Sequence, residues 1–242
     1  MPSTPTRPKL VPREPDAPPP PWAVDPLGLL KSKPGQVVAA LTGGIATGKS
    51  SVAELLSAFG ARRLDFDVFS RQAIAPNTAG FNAVLELFGP KAIEDNDLNR
   101  QYIGRLIFKD QRLRRLLEDI VHPIAWSIML DELQKLPQSR LTIIETPLLY
   151  EAALNSLFSP VILSFAKPET QFKRLKARNP ELSRWEVRRR IKAQMPIMEK
   201  LRRADLIVDN DNDLPRLIYN TKRLWDFLTT SWGVTHERDQ LL

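Results

Sequence analysis

Residues 43–50, GGIATGKS, have the types and spacing of a loop that binds a polyphosphate. The pattern is Gly, four residues, then Gly-Lys-Ser; an apolar run precedes it and a helical pattern follows. Its two outer glycines allow close backbone approach, so that successive N–H groups can point at phosphate oxygens. The lysine would neutralise the β- and γ-phosphates, and the hydroxyl of Ser50 would bind Mg²⁺. The candidate nucleotide-binding residues are Gly43, Gly44, Ile45, Ala46, Thr47, Gly48, Lys49, Ser50 and Ser51.

Two carboxylates follow the next apolar run, in the stretch LDFD at residues 64–67. By strand alternation, Asp65 and Asp67 are predicted to share one side at the carboxyl end of a strand. Ligands bind at this edge of open α/β sheets. Either carboxylate could hold Mg²⁺ or accept a proton from an attacking hydroxyl. A solvated turn is the alternative.

Most of the positive charge lies in one part of the chain. The net charge is +7, yet residues 173–203 contain twelve lysines or arginines and only three glutamates, which leaves the remainder close to neutral. Ser183 and Glu186 have capping-box spacing and predict a helix start. A basic helix beside a phosphate loop indicates a lid that stabilises charge on the transferred phosphoryl group and excludes water. A solvated helix face is the alternative.

The remaining motifs favour a phosphoryl donor over a switch or a motor. No guanine-reading Asn-Lys-x-Asp segment occurs, and the nearest match to a Walker B strand, LTIIETP, ends at Glu145 without an aspartate. A small-molecule kinase of the nucleoside monophosphate type, with ATP and Mg²⁺, is therefore one hypothesis. A nucleotide-dependent nucleic-acid-binding protein is the rival, although charge confined to one element argues against it.

Short β-branched apolar runs alternate with helical patterns and predict an α/β fold. The runs are residues 37–41, 63–64, 141–144, 161–165 and 206–208. They indicate a five-stranded parallel sheet covered by helices on both faces, a three-layer architecture. The crossover at residues 67–140 is too long for one helix and predicts a helical insertion, a natural place for an acceptor-binding pocket. An enlarged helical layer is the alternative. Its clearest helix is predicted at residues 110–121, with Asp110 as the N-cap.

Composition sets the expected boundaries and location. The kinase domain is predicted at residues 36–230, with the lid at 174–203 and a C-terminal tail at 231–242. Residues 1–35 hold eleven of the 21 prolines and are predicted to be a disordered or polyproline II tail. The chain has no cysteine, no apolar run near the roughly 18 residues that span a bilayer, and no signal-peptide pattern. We expect a cytoplasmic monomer or weak homo-oligomer with no membrane or nucleic-acid partner.

Six motifs in order carry a resemblance to a known family. LTGGIATGKS, LDFD, VHP at 121–123, PLLYE at 147–151, KAQMP at 192–196 and EKLRRADLIVDN at 199–210 together resemble dephospho-CoA kinases, relatives of the nucleoside monophosphate kinases. The resemblance covers residues 37–228. It implies a P-loop kinase fold and transfer of the γ-phosphoryl group of ATP to the ribose 3′-hydroxyl of dephospho-CoA, the last step of coenzyme A biosynthesis.

The resemblance also implies roles for single residues. Asp67 matches the family's proposed general base and Asp65 the aspartate before it. Residues expected at the acceptor site are His122, Pro147, Leu148 and Glu151. Arginines expected in the lid are Arg174, Arg178 and Arg188, with Arg178 assigned to catalysis and Arg174 to ATP; Asn210 is expected near the adenine edge.

The chain departs from the family pattern at a few positions. Ala46-Thr47 stands where Gly-Ser is common, and Phe66 where alanine is common between the two aspartates. The loop changes keep small or hydroxylic side chains, so we expect the loop to function, whereas Phe66 is bulkier than the usual alanine. Pro180 is predicted to stiffen the turn after the first lid helix.

Overall fold

The computed structural model describes residues 18–33, 36–135 and 140–230. Seven strands and nine α-helices lie within these ranges. The strands are β1 Val37–Gly43, β2 Arg62–Asp65, β3 Ile93–Glu94, β4 Asp97–Leu98, β5 Leu141–Glu145, β6 Val161–Phe165 and β7 Leu206–Asp209. The helices are α1 Lys49–Ala58, α2 Phe66–Ala73, α3 Ala79–Phe88, α4 Arg100–Lys109, α5 Gln111–Lys135, α6 Pro168–Arg178, α7 Arg184–Lys192, α8 Ile197–Arg203 and α9 Leu214–Thr230.

The five longer strands form one parallel sheet in the order β2-β5-β1-β6-β7. The predicted five-stranded parallel α/β fold is confirmed. The central strand β1 is buried along its whole length, because its two sets of alternating side chains enter different cores. Val37, Ala39 and Leu41 pack with α1 and α9, whereas Val38 and Ala40 face the side of α2 and α5. The phosphate loop leaves the carboxyl end of this strand.

The insertion between β2 and β5 has its own apolar core. Side chains from α3, α4 and the β3-β4 hairpin pack together in it, including Phe81, Val84 and Ile103. The predicted helix at residues 110–121 is the first half of α5, and Asp110 caps it by accepting from the N–H groups of Arg112 (2.8 Å) and Leu113 (3.3 Å).

Helix α5 continues past Pro123 to Lys135. A proline inside a helix lacks the N–H that would bond the carbonyl four residues earlier, here that of Asp119. The long apolar face beyond the proline keeps the helix intact, because Ala125, Trp126 and Met129 are buried in the main core.

Residues 18–33 pack on the body of the protein, which corrects the predicted boundary at residue 36. Ala23 and Leu30 are 4% and 1% exposed. The indole Nε1 of Trp126 donates to the carbonyl of Val24 at 2.8 Å. Prolines exclude a strand ladder here but do not prevent turns that bury single apolar side chains. Residues 1–17 and the predicted C-terminal tail lie outside the described residues. No helix in the part of the chain that the structure describes is long and apolar enough to cross a membrane.

Candidate active site

The phosphate loop presents an uncapped helix end. Helix α1 begins at Lys49, with Gly48 as its N-cap in the left-handed region (φ 81°), and no side chain caps it. The N–H groups of a first helical turn have no partners within the helix, and the helix dipole favours an anion there. A Cβ atom at Gly48 would lie 2.0 Å from Nδ2 of Asn210, so glycine is required on steric grounds as well.

Contacts from two other strands hold the loop. The carbonyl oxygen of Thr47 accepts from Oγ of Ser164 at 3.0 Å and from Nδ2 of Asn210 at 2.8 Å. The Thr47 hydroxyl itself donates to the carbonyl of Gly44 at 2.9 Å. The amide of Asn210 therefore braces the loop, a structural contact beyond the nucleotide contact that the resemblance implied. Gly43 lies against Thr47 and the carbonyl of Ser164, where a Cβ atom would not fit.

Ala46 has φ 60°, a conformation that costs a non-glycine residue free energy. This backbone requirement explains in physical terms why glycine is common at the position. Next to it, the N–H of Ile45 donates to Oε1 of Gln194 at 2.7 Å, which joins the loop to the segment after α7.

A buried carboxylate at the end of β5 binds two cations. Glu145 has no exposed surface; its Oε2 atom lies 2.5 Å from Nζ of Lys49, and its Oε1 atom accepts from Nε of Arg63. In the sequence this glutamate was only a failed match to a Walker B strand. The structure places it directly behind the loop lysine.

The two aspartates lie at a strand-to-helix junction and not along one strand. Strand β2 ends at Asp65 and α2 begins at Phe66, so strand alternation does not extend to Asp67 and that prediction was wrong. Oδ1 of Asp65 accepts from the N–H of Asp67 at 2.9 Å as the N-cap of α2.

Asp67 is exposed by surface area, yet its carboxyl group has a raised pKa. Displacement of water by surrounding protein atoms is the main cause, and the charges of Asp65 and Glu145 add to it; Lys49 and Arg71 act in the opposite direction. A raised pKa brings a carboxylate closer to the range in which it takes up a proton from a substrate hydroxyl. The same interactions show that Asp67, Lys49 and Glu145 share one region of the site.

The donor set near the loop suits Mg²⁺ and not a metal held by protein alone. No group of three or more His, Cys, Asp or Glu side chains among residues 18–33, 36–135 and 140–230 could hold a metal ion. Ser50 is exposed at the start of α1, with the carboxylate of Asp67 in the same region. Mg²⁺ usually keeps several waters and takes one or two protein oxygens beside substrate phosphates, so these residues fit it.

A cleft of about 750 Å³ opens from the phosphate loop between α5 and the lid. Gly44 lines it at the loop, and His122, Leu148 and Glu151 line it among the predicted acceptor residues. Pro147 contributes differently, because its carbonyl oxygen accepts from Nζ of Lys200 at 3.2 Å.

Glu151 is tied to the segment after the lid. Its Oε1 atom accepts from the N–H of Met195 at 2.9 Å and lies 2.9 Å from Nζ of Lys200, which is fully buried. Part of its carboxylate is thus engaged in a structural ion pair. The basic composition of residues 173–203 concealed this lysine, since only the fold distinguishes a buried lysine from an exposed one.

The structure separates the lid arginines. Nη1 of Arg174 is buried with no hydrogen-bond partner among the described atoms. A Cβ atom at Gly48 would lie 3.8 Å from it, so this cation faces the loop. Arg178 is exposed at the end of α6 and does not line the cleft. The guanidinium of Arg188 lies over the ring of Phe172, 5.7 Å from its centroid. Arg174 is thus brought to the loop, and Phe172 under Arg188 packs in the same apolar cluster as Ile45 and Ala46 of the loop.

Several residues that build the site escaped sequence reasoning. They are Trp22, Arg63, Glu145, Ser164, Gln194 and Lys200. The capping box of α7 was confirmed, with Ser183 and Glu186 bonded reciprocally.

The phosphate loop follows the central strand of a parallel sheet, and a cleft joins this loop to a helical insertion. These features are those of a P-loop kinase that acts on a small molecule. The family model of dephospho-CoA kinase matches residues 37–216. The chain belongs to the dephospho-CoA kinase family.

Individual relatives agree with this assignment. A dephospho-CoA kinase of Staphylococcus epidermidis is 40% identical over 189 residues, which are 77% of this chain and 93% of that protein. One from Parasynechococcus marenigrum is 40% identical over 183 residues, 76% and 92% of the two chains. Among solved structures, TT1252 from Thermus thermophilus has a TM-score of 0.70 at 31% identity, covering 80% of this chain and 96% of that one. The dephospho-CoA kinase from Campylobacter jejuni shares the fold, with a TM-score of 0.61 at 22% identity over 79% and 96%.

Proposed function

We propose that this protein transfers the γ-phosphoryl group of ATP to the ribose 3′-hydroxyl of dephospho-CoA, giving coenzyme A and ADP in the last step of coenzyme A biosynthesis. Family membership supports the activity, a phosphotransfer from ATP to dephospho-CoA. The observation that carries the proposal is one cleft that Gly44 of the loop and His122 of the insertion both line. Donor and acceptor can meet there without leaving the protein.

On the donor side, the N–H groups at the start of α1 bind the phosphates. Lys49, whose ammonium group is paired with Glu145 in the structure, neutralises their charge, and Arg174 supplies a second cation from the lid side. Fixed donors of this kind stabilise the charge that spreads over the phosphoryl oxygens in the transition state. Asn210 and Ser164 hold the loop in the required shape.

On the acceptor side, Asp67 accepts the proton of the attacking hydroxyl. A bond forms between the ribose oxygen and the γ-phosphorus as the bond to the β–γ bridging oxygen breaks, and ADP leaves. Asp65 holds Asp67 at the first turn of α2 and raises its pKa. His122, Leu148 and Glu151 line the acceptor's side of the cleft. A role for Arg178 in catalysis stays a prediction, since it is exposed.

Mg²⁺ is part of the proposal, with Ser50 and Asp67 as the residues that would hold it. When bound, the ion neutralises charge on the β- and γ-phosphates. A cytoplasmic location, a monomer or weak homo-oligomer, and no nucleic-acid or membrane partner complete it. The confinement of the basic charge to residues 173–203, next to the cleft, supports a small-molecule polyanion as the ligand.

The direct test is ATP consumption with dephospho-CoA as acceptor and identification of the product. Coenzyme A phosphorylated at the ribose 3′ position is expected. Preferred turnover of AMP or CMP would overturn the proposal in favour of a nucleoside monophosphate kinase. Salt-sensitive RNA or DNA binding without kinase activity would favour the nucleic-acid alternative. Asp67→Asn should lower kcat by about 10²–10⁴-fold and leave ATP binding intact, since a general base contributes about that much.

A further inference from the structure

The segment at residues 18–33 reaches the acceptor side of the cleft. It lies outside residues 37–216, which the family model matches, yet Trp22 lines the same cleft as Gly44 and His122. Trp22 is only partly buried, and it packs on the edge of the main core. A large aromatic ring from outside the residues that the family model matches therefore forms part of the cleft wall.

The ring belongs to an aromatic cluster that extends to the proposed base. The Trp22 and His122 rings have centroids 5.5 Å apart, and the His122 and Phe66 rings 5.9 Å apart. Phe66 directly precedes Asp67 in the chain. Trp126 contacts the rings at both ends of this cluster, with its ring centroid 5.9 Å from that of Trp22 and 6.2 Å from that of Phe66. Two successive ring contacts, Trp22 to His122 and His122 to Phe66, thus connect the Trp22 ring with the residue that precedes Asp67.

Local hydrogen bonds hold the segment in position. The carboxylate of Asp25 accepts from the N–H groups of Leu29 and Leu30, both at 2.8 Å. The hydroxyl of Ser32 donates to the carbonyl of Ser159 at 2.8 Å, which ties the segment to the loop before β6. With the bond from Trp126 to the carbonyl of Val24, these contacts place Trp22 before any substrate arrives. A preorganised wall costs little ordering entropy on binding.

We infer that Trp22 is a substrate-contacting residue of the acceptor site and stacks on the adenine ring of dephospho-CoA. The inference rests on the proposed function. The reacting hydroxyl belongs to the ribose that carries the adenine, so the base lies close to Asp67 while the hydroxyl is attacked. A purine has flat π faces, and aromatic side chains bind such faces without reading base edges. Arg114 and Arg115 of α5 line the same cleft and supply cations for the acceptor's diphosphate, although Arg114 is also paired with Glu118 at 2.8 Å.

The test compares Trp22→Ala and Trp22→Phe with the unchanged protein in steady-state kinetics. Trp22→Ala is expected to raise KM for dephospho-CoA about tenfold, equivalent to about 1.4 kcal/mol, with KM for ATP unchanged. Trp22→Phe keeps an aromatic face and should recover most of the loss. The intrinsic fluorescence change on titration with dephospho-CoA should also shrink in Trp22→Phe, because the reporting indole is gone.

Leu27→Ala is the matched control. Leu27 lies in the same segment and lines a second groove beside α5, which Trp22 also lines, but it does not line the cleft. It is 59% exposed, so its truncation should leave both KM values unchanged. A similar acceptor defect in Leu27→Ala would mean that Trp22 acts only by anchoring the segment, and would overturn the inference.

The site of contact on the acceptor is tested with AMP as a competitive inhibitor. If Trp22 stacks on adenine, Trp22→Ala should raise the inhibition constant for AMP and the KM for dephospho-CoA by similar factors. A defect with dephospho-CoA alone would place Trp22 against the pantetheine arm and contradict the adenine assignment. Unchanged KM in Trp22→Ala, with an active unchanged protein, would overturn this inference alone. No turnover by the unchanged protein would overturn the proposed function and this inference with it.

Discussion

The Nζ atom of Lys49 lies 2.5 Å from Oε2 of Glu145, so the lysine of the phosphate loop is paired with a wholly buried carboxylate at the end of β5. Arg63 binds the other carboxylate oxygen. The carboxylate of Glu145 therefore lies between two cations. It holds the ammonium group of Lys49 in a defined position before nucleotide binds.

Glu145→Gln tests this arrangement by removing the charge while keeping the size of the side chain. We expect the free energy of unfolding to fall by about 2–3 kcal/mol, below the 3–5 kcal/mol of a wholly buried pair because the Arg63 side chain is 34% exposed. ATP affinity should not fall, since Lys49 keeps its charge. Urea unfolding and calorimetric ATP titration measure the two effects. Lys49→Ala is the contrasting variant, in which phosphoryl transfer should be lost.

Asp65→Asn should change the pH dependence of turnover. As the proposed general base, Asp67 must be ionised to accept a proton, so activity is expected to fall as pH drops through its pKa, which burial raises most and Asp65 raises further. Removing the Asp65 charge lowers that pKa, so the acid limb of kcat/KM should move to lower pH. Asparagine retains an oxygen for the N–H of Asp67, so the cap survives. An unmoved limb, or one at higher pH, would contradict the assignment.

Asp67→Asn should not destabilise the fold. A carboxylate whose pKa is higher in the folded than in the unfolded state binds its proton more tightly when folded, so stability from this group is present at low pH and declines as pH rises through the folded pKa. At neutral pH its ionised form opposes folding, and a neutral amide removes that opposition. Thermal melting at neutral pH should give a Tm equal to or above that of the unchanged protein, even though kcat is expected to be much lower. A clear fall in Tm would sink this reasoning.

The buried ion pair of Lys200 and Glu151 is expected to hold the segment after the lid in place. Lys200→Ala leaves a mostly buried carboxylate without its cation, and should cost about 3–5 kcal/mol of stability. Removing both partners should cost less than the sum of the two single changes, because no charge is left alone. A double-mutant cycle in urea measures the coupling, and additive effects would show that the pair is not energetically linked.

Ala46→Gly should stabilise the phosphate loop. The left-handed backbone at this position costs a non-glycine residue about 1–2 kcal/mol, and glycine avoids that cost while losing more entropy on folding, about 0.5–1 kcal/mol. A net gain of about 0.5–1 kcal/mol is expected by urea unfolding. Ala83→Gly is the matched control in the middle of α3, half-buried like Ala46, where the same exchange should cost about 1 kcal/mol. Equal effects at both positions would contradict the backbone explanation.

Local patterns predicted most of the fold and the position of the phosphate loop. The strands were recognisable because short, continuously apolar runs suit a sheet buried on both faces, and the loop because its chemistry is contained in eight consecutive residues. The end of β2 was misjudged, since Asp65 serves as a helix cap, which requires a change of backbone conformation that alternation alone does not reveal.

Contacts between distant residues could not be predicted from the sequence. Glu145 gains its meaning from Lys49, 96 positions away, and Lys200 from Glu151, 49 positions away. The position of Trp22 depends on its packing against α5, about a hundred residues along the chain. A proline-rich composition dominated the interpretation of that segment, because the two or three apolar side chains that anchor it form no periodic pattern.

The N–H of Ile45 donates to Gln194, so a phosphate oxygen would compete with the glutamine for this loop donor. A phosphate oxygen that takes this N–H must first displace the glutamine, so part of the nucleotide's binding free energy is spent on exchanging one acceptor for another. By linkage, this coupling is reciprocal. A change that moves Gln194 away from the loop tightens nucleotide binding by the same factor by which bound nucleotide favours release of Gln194. The Oε1 atom of Gln194 is therefore a weak, tethered substitute for a phosphate oxygen at this donor of the loop.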